Sequence, residues 1–179
     1  MTLLTPGFLA TASLEVHQTA EKHWRTYGTS PIKVLLFAAD GVPELVDFEQ
    51  GIGQEAAGEA VRAHAARISA VAVVLTAVAH VAEVEIGLTP SKPGTAQTSD
   101  QTSPPTLLVG DFGRAVVTLT LWPERELTKA LKSSIITGLD GTAVLLSSRE
   151  GTPTDPAEFE GLTTWLAGLL PDLAPDTRP

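Results

Sequence analysis

The residues best able to do chemistry in this chain are its four histidines, because there is no cysteine to serve as nucleophile, thiolate ligand or disulfide partner. His64 falls on the inner stripe of a predicted helix, and His80 lies in the strand that follows it. That strand is the apolar run Ala70–Ala82, whose only polar residues are Thr76 and His80. A helix packed across this strand would bring the two imidazoles together, with Thr76 on the same strand face as His80. His64, His80 and Thr76 are therefore the candidate acid–base or metal constellation, short of a carboxylate that Asp40 or Asp111 would have to supply. The competing expectation is a pair of core histidines hydrogen-bonded to backbone, which carry no chemistry. His17 and Glu21 stand four apart on the first predicted helix, but two ligands do not make a metal site.

Other motifs lose their chemistry on inspection. Gly51-Ile52-Gly53-Gln54-Glu55-Ala56 follows a strand and opens a helix, as in glycine-rich turns that hold a pyrophosphate. Asp47, Glu49, Glu55 and Glu59 surround it with negative charge, so a nucleotide is not expected there. Asp111-Phe112-Gly113 matches a kinase metal-binding triplet in letters only, and turn chemistry accounts for it. There is no Gly-x-Ser-x-Gly elbow; Ser133-Ser134 and Ser147-Ser148 read as strand-edge or loop residues. No cofactor and no bound metal are expected.

The elements that must position these residues follow from periodicity. A helix is predicted from about Phe8 to Tyr27, with Val16, Ala20, Trp24 and Tyr27 as its apolar stripe and Gly28 as its stop. Ile32–Ala39 and Glu44–Phe48 read as a hairpin turning at Asp40-Gly41. A second helix is expected over Gln54–Ile68, with Ala57, Val61, His64, Ala65 and Ile68 inward. The run from Ala70 reads as a strand buried on both faces, extended by one-sided alternation through Val84, Ile86 and Leu88. Residues 87–105 are almost devoid of apolar side chains and are predicted to be a flexible loop inside one domain.

Leu107–Val109 and Ala115–Trp122 read as another hairpin, the latter strand with one buried side and Trp122 on its Thr118/Thr120 face. Pro123 suits the first position of a helix carrying Leu127, Ala130 and Leu131. Ser133–Thr137 either continues that helix or forms a hairpin with Thr142–Ser147 through Asp140-Gly141; the β-branched run favours the hairpin. A last helix starts at a capping box of Asp155, Pro156 and Glu158 and carries Phe159, Leu162, Leu166 and Leu169.

The expected architecture is a single α+β domain, a mostly antiparallel sheet of five to seven strands with N-terminal, middle and C-terminal helices packed on it. The chain has 179 residues, enough for one core, and 43% of them are hydrophobic, which excludes intrinsic disorder. Its 12 Lys and Arg against 21 Asp and Glu give a charge of −9, which disfavours a nucleic-acid partner. No run reaches the roughly 20 apolar residues of a membrane helix, and no basic residue precedes the apolar patch at the N-terminus. A cytoplasmic, bacterial protein is expected. Its expected function is non-catalytic, through contact with a protein partner or with itself as a homodimer. The alternatives are an acidic inhibitor, immunity protein or chaperone for a basic partner, and a small enzyme or metal protein built on His64 and His80.

Overall fold

The computed structural model describes residues 4–48, 52–123 without 81–113, 125–137, 140–146 and 159–171. Helix α1 (Pro6–Tyr27) begins where the Thr5 hydroxyl accepts the Phe8 N–H at 3.2 Å, with Pro6 in the first turn. It ends at Gly28, whose φ of 69° is the left-handed conformation that glycine adopts without a Cβ penalty. The hairpin follows as β1 (Lys33–Phe37) and β2 (Pro43–Asp47), then α2 (Gln54–Ile68) and β3 (Ala72–His80). The remaining elements are β4 (Arg114–Leu121), β5 (Leu127–Thr137), β6 (Ala143–Leu146) and the short α3 (Glu160–Ala167).

The six strands among the described residues form one antiparallel sheet in the order β2-β1-β3-β4-β5-β6. The protein is thus an α+β fold with helices at the N-terminus, middle and C-terminal end. The doubly buried β3 sits inside the sheet between β1 and β4, as its unbroken apolar run predicts. None of the described helices is long and apolar enough to cross a membrane.

Alternation along each strand sends side chains to two covered faces. On one face α2 and α3 enclose Val34, Leu36, Val61, Ala65, Val73, Leu75, Val117, Leu119, Leu121 and Leu166. On the other, α1 crosses β3, β4 and β5, with Leu9 over Phe37, Ala72 and Val74, and Ala20 and Trp24 over Val116 and Ile135. Trp122 packs partly buried at the Leu9 end, beneath the helix.

Three expectations are corrected. Leu127, Ala130 and Leu131 belong to β5 and not to a helix starting at Pro123. A strand covered on both faces cannot leave its outer backbone groups unpaired, and β5 supplies the partners that β4 lacks on that side. A bulge between Thr120 and Leu121 shifts the β4–β5 register, so the first residues of β5 mimic helical spacing. Second, β4 is buried on both sides, because α1 covers the Thr118/Thr120 face that the alternation left to solvent. Third, the inner stripe of α1 is Leu9, Ser13, His17, Ala20, Glu21 and Trp24, while Tyr27 is exposed.

The Ile135–Thr137 hairpin forms as expected, Thr137 pairing with Ala143. The continuation of β3 past Ala82, the loop at 87–105, the strand at Leu107–Val109 and the Asp155–Glu158 capping box lie outside the described residues.

Candidate functional site

The inner face of α1 is unusual because successive turns present Ser13, His17 and Glu21 to the sheet, all buried. The sheet answers with hydroxyls on three strands: Thr76 on β3, Thr118 and Thr120 on β4, and Ser133 on β5, each almost completely buried. Burying polar groups is tolerable only when each finds a partner.

His17 stands at the centre. Its Nδ1 lies 2.9 Å from Thr118 Oγ1 and its Nε2 lies 2.9 Å from Ser133 Oγ. The Ser133 hydroxyl donates to Glu21 Oε1 at 2.5 Å. On the other side Thr118 donates to Thr76 at 3.0 Å, and Thr76 donates to the Val117 carbonyl at 3.1 Å. One turn earlier, Ser13 donates to the Leu9 carbonyl at 2.6 Å and meets the Thr120 hydroxyl. Burial pushes the His17 imidazole below its ordinary pKa, opposed by the Glu21 carboxylate whose Oε1 is 3.7 Å from Nε2. Arg25, half-exposed one turn further on, stands 3.6 Å from the other oxygen of Glu21.

Serine, histidine and a carboxylate are the parts of a nucleophilic triad, but the order here is wrong for one. The carboxylate accepts from the serine, whereas a triad needs it on the imidazole to orient the base. Ser133 and Thr118 are also fully buried, so no substrate atom reaches either hydroxyl in this conformation. The arrangement fixes α1 to three strands; it does not present a reagent.

The candidate residues from the sequence are placed as follows. Thr76 belongs to this seam. His64 lies on α2, over the opposite face of the sheet, where its Nδ1–H donates to Glu44 of β2 at 2.5 Å and Arg67 completes the cluster. That cluster holds the Glu44 carboxyl below its usual range, the His64 hydrogen bond being the largest cause. His80 is the last residue of β3 and pairs with Arg114 of β4. His64 and Thr76 are not brought together, since α2 and α1 cover opposite faces. Among the described residues, no three His, Asp or Glu side chains gather into a metal-binding group.

His17, Thr118 and Ser133 were present in the sequence without a signal tying them together. The usable clue was spacing: positions 13, 17 and 21 follow the helical repeat from Leu9, a polar stripe continuing an apolar one. Comparison with protein-family models, with curated proteins and with solved structures finds no match for this chain. The class that the described residues define is an α+β fold with a six-stranded antiparallel sheet covered on both faces.

Proposed function

We propose that this protein works through contact with other protein chains, and first with a second copy of itself, through the β6 edge of the sheet. What supports this is a difference between the two edge strands. The β2 edge carries Pro43, Glu44 and Asp47, residues that block or repel an incoming strand. The β6 edge reads Ala143-Val144-Leu145-Leu146, with no charge and no proline, and Val144 and Leu146 are 52% and 50% exposed. Both lie on the face opposite Leu145, which packs towards α1.

An edge strand pairs with its own copy antiparallel across a twofold axis, which extends an antiparallel sheet without changing its hydrogen-bond pattern. The uncharged edge lets two acidic chains approach there without setting like charges opposite one another. Light scattering coupled to size-exclusion chromatography tests the proposal. The wild-type chain is expected to run as a concentration-dependent dimer and the V144K/L146K double variant as a folded monomer. A wild-type monomer at every concentration would sink it.

A further inference from the structure

Symmetry restricts how two copies of β6 can meet in the pairing proposed above, and the register it leaves rests on that pairing. A twofold axis relating two neighbouring antiparallel strands stands perpendicular to the sheet, so each face of the sheet stays on its own side. Directly opposite residues of such a pair point their side chains to the same face. Alternation along β6 sends Leu145 towards Ala20 and Trp24 of α1, and Val144 and Leu146 to the other face. A residue of β6 therefore stands opposite its own copy or a residue an even number of positions away. Setting Leu145 opposite the partner's Val144 would turn one α1 to the other side of the sheet and break the symmetry.

One centre sets the apolar residues Val144, Leu145 and Leu146 entirely against one another. With the axis at Leu145, Val144 lies opposite the partner's Leu146, and Leu145 opposite the partner's Leu145. Moving the axis one residue, to Val144, sets Leu146 against the partner's Thr142 and Leu145 against the partner's Ala143. Val144 and Leu146 are 52% and 50% exposed, so the first arrangement covers aliphatic surface with aliphatic surface and the second wastes half of it.

We propose that two chains pair about an axis at Leu145, each Val144 against the partner's Leu146, in one continuous sheet with both α1 helices on the same face. Each α1 reaches β6 through Ala20 and Trp24, so the Trp24 ends of the two helices flank the axis. On the opposite face, Val144 and Leu146 of both chains form a single apolar strip across the axis. The aliphatic cluster beneath α2 and α3 does not extend to either residue.

The chain has no cysteine, so introduced thiols report the register without background. Directly opposite residues hold their Cα atoms about 4.5–5.5 Å apart, within reach of a disulfide. Diagonal neighbours two positions off stand about 7–8 Å apart, beyond it. Val144→Cys chains are mixed with Leu146→Cys chains and oxidised gently. The mixed disulfide is expected in large excess over either like-with-like dimer. A V144C or L146C like-with-like dimer in excess would overturn the register and leave the edge pairing standing. A dimer by light scattering that forms no disulfide would overturn both, and a wild-type monomer at every concentration would remove the edge pairing itself. Isotope-filtered NMR of mixed labelled and unlabelled wild-type chains decides without any substitution. Val144 methyls should contact the partner's Leu146 methyls; contact with the partner's Val144 in their place would overturn the register.

Discussion

The two faces of the sheet are built on different principles. The face under α2 and α3 is closed by an uninterrupted cluster of aliphatic side chains with Phe159. The face under α1 has apolar contacts at both ends of the helix and hydroxyls, an imidazole and a carboxylate between them. Dispersion and water exclusion hold the first face and are insensitive to direction and to pH. Hydrogen bonds hold the middle of the second, and they demand particular partners at particular distances. The lesson is that one sheet can be anchored permanently on one side and conditionally on the other.

Adjacent residues of β4 point to the two faces and allow the contrast to be broken directly. L119A empties volume in the aliphatic cluster and is expected to lower stability by about 2–5 kcal/mol. T118V keeps the shape on the other face but leaves His17 Nδ1 without its partner and Thr76 with only its bond to the Val117 carbonyl, and is expected to lower stability by about 1–3 kcal/mol. Denaturant titration measures both. If T118V equals or exceeds L119A, the seam is the stronger of the two anchors and the contrast is reversed.

The seam also predicts a pH limb that the aliphatic face cannot produce. His17 has its pKa lowered by burial, against the partial opposition of Glu21, from an ordinary value of 6.5. Above that value the group is neutral in both folded and unfolded chains and its contribution to stability is fully present. As pH falls below it, the unfolded chain takes up the proton first, and stability is lost until the folded imidazole is also protonated. Unfolding midpoints measured across this window should fall with acid in the wild type and stay flatter in H17Q.

The smallest expected effect lies at the surface. The Glu44–His64–Arg67 cluster is solvent-screened, so H64A should leave the neutral-pH unfolding midpoint unchanged within error.

The parts of the fold legible in sequence were those set by local signals. Helix α2 matches its predicted bounds, β3 was marked by its apolar run, and Asp140-Gly141 marked the turn between β5 and β6. What was hidden depended on partners far along the chain. The bulge beside Thr120 disguised the start of β5 as a helix, and the burial of β4 on both sides depends on α1. The seam was the least visible, because His17 and Ser133 are 116 residues apart and a lone serine next to another serine announces nothing. Pairing His64 with His80 rested on a strand that follows a helix, whereas the histidine that sits at the centre of a network lies on the first helix.

That separation bears on how the chain is made. Synthesis begins at the N-terminus, so α1 emerges long before Ser133 and cannot complete its clasp until β5 has left the ribosome. A helix with a wholly greasy inner face would spend that interval as an adhesive surface for itself or for neighbouring chains. Ser13, His17 and Glu21 give α1 an inner face that water can solvate while it waits, and that the threonines and serine of the sheet can later satisfy. The polar seam thereby keeps α1 quiet until its partners in the sheet have been made.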